Sequence, residues 1–185
     1  RATTASPRLP RLARFFAYFT VQSNLLVLIT TTQLAARPDR DGDGWRVVRA
    51  AAVAGITITG VVHFVLLRPL LDLDGWSWVA DKLLHLAVPA LAVAGWLLFG
   101  PRPRLDLRVV LTALAWPVAW LVVTLTVGGL SGWFPYPFLD YDDKGWAAVL
   151  VASFGITVLF VGLFAAMRAY DRRSPPLPSG ASVEP

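Results

Sequence analysis

The run FFAYFTVQSNLLVLITTTQLAA, residues 15–36, carries no charged side chain. At ~1.5 Å per helical residue it is long enough to cross the ~30 Å hydrocarbon core of a bilayer. Yet its first half holds Thr20, Gln22, Ser23 and Asn24. On a helix, Thr20, Ser23, Asn24, Val27 and Thr31 fall on one face, at spacings of three and four. Lipid offers a buried hydroxyl no partner, so such a stripe faces other protein or a wet cavity. The stretch predicts a membrane-spanning helix with Thr20 at the centre of a site and the other helices around it.

The whole chain agrees with a membrane setting. Its 185 residues are 56% hydrophobic and 16% charged, with a mean hydropathy of +0.57. That is too apolar and too poor in charge for an ordinary soluble domain. The net charge is +5, but the basic residues flank apolar runs, which makes them topology signals and not a nucleic-acid surface. The chain has no Cys, which excludes disulfides, thiolate catalysis, iron–sulfur clusters and cysteine zinc sites. Eight Trp and four Tyr suit aromatic belts at the two interfaces.

Outward from the first run, the pattern predicts an all-α, polytopic transmembrane helix bundle. Five spans are expected, at about 15–36, 46–70, 78–100, 107–130 and 145–168, making one helical domain over 15–170. A basic lead-in occupies 1–14, and the polar, Pro-rich stretch 171–185 reads as a disordered tail. The second span needs its flanking Arg side chains to snorkel. Pro117 predicts a kink in the fourth. The segment GGLSGWFPYPFLD after the fourth span, rich in Gly, Pro and aromatics, reads as an interfacial loop, either a lid or an anchor.

Orientation follows from Lys and Arg near the span ends. Arg37, Arg40, Arg46 and Arg49 in loop one, Arg102, Arg104 and Arg108 in loop three, and Arg168, Arg172 and Arg173 lie on one side. Arg68, Lys82, Lys144 and the lead-in lie on the other. The larger group is expected in the cytoplasm. The four arginines of the lead-in would then sit outside unless another helix precedes them, and the chain does not begin with Met. Six spans with both ends inside are therefore expected of the full-length protein.

Only two His occur, and both interrupt apolar runs: His63 in GVVHFVLL and His85 in DKLLHLAVP. Thr20, His63 and His85 each lie about two helical turns from the same membrane face. An ionisable group within a span is usually functional. Asp81, His85 and Pro89 share a helical face. Asp81 is placed to fix the imidazole tautomer, or else to pair with Lys82 or water as a plain interfacial charge. Pro89 has no N–H and leaves the His85 carbonyl without its helical donor. A Thr hydroxyl needs an adjacent base to act as a nucleophile, and His85 is that candidate. Ser23 and Asn24 are candidate donors to an oxyanion.

Thr59 lies on the His63 face. Trp116, Trp120 and Thr124 form another stripe. Trp96 and Trp116 read as belt residues before pocket walls, and Ser153 and Thr157 as packing or lipid-facing positions.

Taken together, YFTVQSN, VVHFVLL, DKLLHLAVP with its downstream Trp96 and GPRPRL, AWPVAW and GWFPYPFLD resemble a bacterial six-helix membrane family over residues 14–173. That family is related to the androgen-induced-gene and androgen-dependent TFPI-regulating proteins of animals. The resemblance implies an intramembrane threonine hydrolase of fatty acyl esters in the bacterial cytoplasmic membrane. Thr20 would take the catalytic Thr position and His85 the catalytic His position. The expected partners are membrane lipids or a fatty acyl ester substrate, with no cofactor, no metal, no nucleic acid and no protein partner called for.

Two other readings stand beside it. One is a haem-binding redox protein with His63 and His85 as axial ligands. The other is a non-enzymatic transporter or scaffold whose polar stripes line a path.

Overall fold

The computed structural model describes residues 10–100 and 105–174. Most of the lead-in, the Arg102 and Arg104 part of loop three, and the tail beyond residue 174 lie outside the described residues. Among those described there is no strand, and the chain is an all-α bundle. Its helices are α1 (Arg11–Ala17), α2 (Phe19–Ala36), α3 (Asp43–Val62), α4 (Gly75–Lys82), α5 (Val88–Phe99), α6 (Leu107–Ser131) and α7 (Tyr141–Arg173). A π-helical turn, His63–Leu67, prolongs α3, and another, Leu83–Ala87, fuses α4 to α5.

Among the described residues, four continuous helical segments are long and apolar enough to cross a membrane: Asp43–Leu70, Gly75–Phe99, Leu107–Ser131 and Tyr141–Arg173. α2 qualifies only together with α1, and the two are bent by 70°. The straight first span over 15–36 is thus corrected. The chain breaks at Tyr18, whose extended backbone (φ −66, ψ 128) ends one helix and starts the next. The last helix also outruns its expected end. Asp171 is buried and accepts from the Leu105 N–H at 2.8 Å, so the residue expected to open the tail anchors the chain just ahead of α6 instead.

The centre of the bundle is α3, and not the polar α2 that the sequence singles out. Of the apolar window of the α3 span 56% is buried, against 17% to 22% in the other three. α3 packs on α2, α5, α6 and α7. The run AAAVAGITITG explains this: small side chains let four neighbours approach one backbone, which is how helices gain contact where lipid supplies no hydrophobic drive. A Cβ on Gly55 would meet the Trp116 ring at 2.6 Å, so that glycine is the slot for the indole. Outward faces carry exposed Leu91, Leu111, Val122, Leu150 and Phe154, as expected of surfaces wetted by acyl chains.

Two aromatic assignments change. Trp96 is buried and packs on Tyr170. Trp116 stacks on Phe19 with ring centroids 4.5 Å apart. Trp96 is thus a core residue, and Trp116 is half-buried against the core. α6 runs through Pro117 as one helix. The segment after it is an ordered connection. Gly132 closes α6 in a left-handed conformation (φ 67), a 3-10 turn follows at Pro137–Leu139, and the Asp140 carboxylate caps α7. This folds Tyr136 and Leu139 into the bundle, where both are buried.

Candidate active site

Both histidines sit in π-helical turns, and each turn is followed by a proline. Pro89 cannot donate to the His85 carbonyl, and the ladder widens so that the Val88 N–H reaches Leu83 instead. Pro69 follows the first turn in the same way, and the Arg68 N–H reaches back to His63. The widened turns carry the imidazoles inward. The freed His85 carbonyl rests against Gly60, where a Cβ would stand 3.0 Å from it. α3 and the Leu83–Ala87 turn can approach this closely only over a glycine.

His63 and His85 stack face to face, with centroids 3.8 Å apart and planes 11° apart. The buried Asp81 carboxylate serves both. Its Oδ1 lies 3.2 Å from His85 Nδ1 and 2.9 Å from His63 Nε2, and Oδ2 lies 3.4 Å from Lys82 Nζ. The His63 contact is short but lacks hydrogen-bond alignment, so Nε2 is left without a true partner. The hydrogen-bond acceptor of His85 Nδ1 is the Asp81 backbone carbonyl at 3.1 Å. That bond, with the carboxylate charge beside it, puts the proton on Nδ1 and leaves Nε2 with a lone pair. That lone pair faces Thr20 Oγ1 at 3.4 Å. The bland reading of Asp81, a charge paired only with Lys82 at the interface, does not describe this arrangement.

Thr20 owes its surroundings to the break at Tyr18. The N–H groups of Val21 and Gln22 reach the Tyr18 carbonyl, whereas that of Thr20 has no acceptor within the helix. The Tyr136 hydroxyl accepts it at 3.1 Å and lies 3.2 Å from Thr20 Oγ1. Burial pushes the Tyr136 phenol up from its ordinary value, and the N–H donated by Thr20 partly offsets this.

The remaining expected residues surround Thr20 without reaching its hydroxyl. The Ser23 hydroxyl bonds the Thr20 carbonyl and Thr59 Oγ1, at 3.1 and 3.0 Å. Asn24 Nδ2 donates to the Thr20 carbonyl at 2.8 Å and contacts the Leu84 carbonyl at 3.5 Å. Short polar side chains on a helix fold back on carbonyls three and four residues earlier. Ser23 and Asn24 are therefore turned away from any oxyanion on Thr20, and that expectation is corrected. Trp116 Nε1 donates to Gln22, and Trp120 Nε1 donates to the Ala17 carbonyl just before the break.

A cavity of about 110 Å³ opens from Thr20 into the bundle, on the side away from His85. Its walls are mainly apolar, with Ile58, Leu121, Ile156 and Phe160 among them and Trp120 near Thr20. Thr59, Tyr136, Ser153 and Thr157 are the polar interruptions. Ser153 and Thr157 thus line the cavity's edge, Ser153 half-buried and Thr157 exposed on the outer face as expected. Tyr136 is the residue that sequence reasoning left off the site. Its only signal was a tyrosine between two prolines in a loop on the correct side.

The arrangement does not fit the haem alternative, nor a metal ion shared by the two imidazoles. Ligand atoms of His63, Asp81 and His85 lie within 4.8 Å of one another. But the two ring planes are nearly parallel and in face contact, so an ion in the plane of one imidazole lies out of the plane of the other. Axial ligation of one haem needs the two imidazoles end-on from opposite faces of a porphyrin, and stacked rings leave no room for it. Comparison of the chain with protein-family models, with curated proteins and with solved structures gives no match.

Proposed function

We propose that the chain is an integral membrane hydrolase of lipid-like, fatty acyl esters. The observation that carries the proposal is a single chain of polar contacts, Asp81 to His85 to Thr20, ending at the mouth of an apolar cavity within spanning helices. A base behind a hydroxyl, an orienting acceptor behind the base and an apolar cavity in front are the parts that acyl transfer requires. The resemblance to intramembrane threonine hydrolases points the same way.

Thr20 Oγ1 attacks the ester carbonyl while His85 Nε2 takes the hydroxyl proton. The 3.4 Å separation is the looser spacing usual before substrate binds. The tetrahedral intermediate collapses, His85 returns the proton to the departing alkoxide, and the acyl group remains on Thr20. Water then attacks the acyl-threonine with His85 again as base, releasing the carboxylic acid and restoring the hydroxyl. The acyl chain lies in the cavity lined by Ile58 and Phe160. It reaches that cavity from the bilayer, where both substrate and site reside.

The test uses purified protein in detergent micelles with long-chain umbelliferyl esters and a fluorophosphonate probe. Thr20→Ser retains measurable hydrolysis, Thr20→Val abolishes both hydrolysis and labelling, and His85→Ala costs about as much as Thr20→Val. The double variant is no worse than either single one, because a nucleophile and its base act as a unit. Equal turnover in wild type and Thr20→Val removes the proposal.

A further inference from the structure

We infer that Tyr136 is a third catalytic residue, whose hydroxyl turns from Thr20 to donate its hydrogen to the oxyanion formed when Thr20 is acylated. The inference rests on the hydrolase reading and goes beyond it, because the mechanism so far has no group to meet the developing negative charge. Ser23 and Asn24 are turned toward the Thr20 carbonyl.

The direction of each hydrogen follows from the contacts. His85 Nδ1–H is held by Asp81, so Nε2 accepts from the Thr20 hydroxyl. The Thr20 N–H donates to the Tyr136 oxygen. The Thr20 hydroxyl hydrogen being committed to His85, the Tyr136 O–H donates to Thr20 Oγ1. The resting site is then a directed series in which each hydrogen has one acceptor. Attack on a carbonyl moves the Thr20 hydrogen to His85 and turns Oγ1 into an ester oxygen, a poorer acceptor. The negative charge appears instead on the former carbonyl oxygen. The phenol beside Thr20 Oγ1 is the donor nearest to it, and the orphan amide of Thr20 stands next to it at the positive end of α2. The phenol is buried, and burial disfavours its ionisation, so the donor keeps its hydrogen. Its backbone is fixed by the 3-10 turn after it, and its ring by Phe138, stacked at 5.3 Å, and Tyr18, edge-on at 5.6 Å. With the ring already held, only the O–H bond has to rotate when the charge forms, a small reorganisation.

The competing role is purely structural, a cap on the Thr20 amide. The two roles separate in kinetics. Tyr136→Phe is expected to lower kcat by about 100-fold, the usual loss for one oxyanion donor, with KM changed less than about threefold. A cap alone would lower the melting temperature and leave kcat per folded molecule near wild type. Placing 4-aminophenylalanine at position 136 retains a donor, whereas 4-methylphenylalanine fills the same space without one. The first is expected to turn over at least about tenfold faster than the second, and this pair decides the matter if Tyr136→Phe does not fold. Equal kcat for the pair, or for wild type and Tyr136→Phe, overturns the inference while leaving the hydrolase standing. No fluorophosphonate labelling of wild type above Thr20→Val sinks the hydrolase reading itself, and the inference with it.

Discussion

Replacing Asp81 by Asn tests how the base is oriented, and the size of its effect can be worked from the contacts. In a Ser-His-Asp arrangement, exchanging the carboxylate for an amide costs about 10⁴ in kcat, because the imidazole takes the wrong tautomer. Here the Asp81 carboxylate stands 3.2 Å from His85 Nδ1 as a charge, and the Asp81 backbone carbonyl accepts its hydrogen bond at 3.1 Å. The substitution removes only the first. The backbone carbonyl keeps the hydrogen on Nδ1, so Nε2 still faces Thr20 as a base. What is lost is the negative charge that steadies the imidazolium once it forms. Lys82 is partly exposed and its amine can turn to solvent, so its freed charge adds little. The expected fall in kcat is therefore about 10- to 100-fold, or about 1.4 to 2.7 kcal/mol of transition-state stabilisation. KM should stay within about threefold, since Asp81 does not line the cavity. The assay is steady-state hydrolysis of a long-chain umbelliferyl ester in micelles, normalised to active sites counted by fluorophosphonate. A fall as deep as that of His85→Ala would refute the reasoning, because the backbone carbonyl would then not be holding the tautomer. No fall at all would return Asp81 to an interfacial charge beside Lys82.

Two further outcomes are expected. Gly60→Ala places a methyl group 3.0 Å from the His85 carbonyl and 3.5 Å from Pro89; with His85 already 3.4 Å from Thr20, turnover should fall about tenfold. Helix propensity offsets much of the crowding, so the melting temperature should change little; unchanged turnover would show that α3 does not set the height of His85. A reporter fused after Arg173 should report the cytoplasmic side, because more of the Lys and Arg near the spans lie with loop one, loop three and the end of α7; activity only on the opposite side would reverse the topology.

How much of this was legible in the sequence depends on which residues a regular period governs. Thr20, His63 and His85 interrupt apolar runs, and a helix rises by a fixed amount per residue, so their meeting could be read from distances to the span ends. Asp81 and His85 are one turn apart, and their pairing needed no tertiary knowledge. The hub role of α3 was present in AAAVAGITITG but lost to the more conspicuous polarity of α2. Trp96 was ambiguous because an aromatic near a span end serves a belt and a core equally well, and Trp116, further into its helix, because its neighbours were not known. The glycine slot at Gly55 that receives Trp116 distinguishes the two only once the helices are paired. Ser23 and Asn24 were placed on the correct face but given the wrong task, since sharing a face does not decide whether a short polar side chain reaches outward or folds back. Tyr136 is 116 residues from Thr20 in the chain, in a stretch with no period, and no spacing rule reaches across that distance.

The break at Tyr18 explains why the loop and the nucleophile belong to one event. The sequence AYFT holds neither Gly nor Pro, so nothing local stops a helix there, and the cause is tertiary. The ring of Tyr18 packs edge-on against Trp133 and Tyr136, and the Trp120 indole takes the Ala17 carbonyl that the ended helix leaves behind. The same loop that holds the break open also supplies the hydroxyl that receives the Thr20 N–H. An unpartnered amide in an apolar interior costs about 1 to 3 kcal/mol, so if the whole loop undocks, and its ring packing on Tyr18 is lost with it, the cheaper course is to let α1 and α2 run together. Running together would give the Thr20 N–H an acceptor four residues earlier and withdraw it from the site. Docking of the loop therefore does more than cover the cavity: it creates the helix start at which Thr20 stands, and a perturbation that undocks it removes the nucleophile's surroundings as well as its lid.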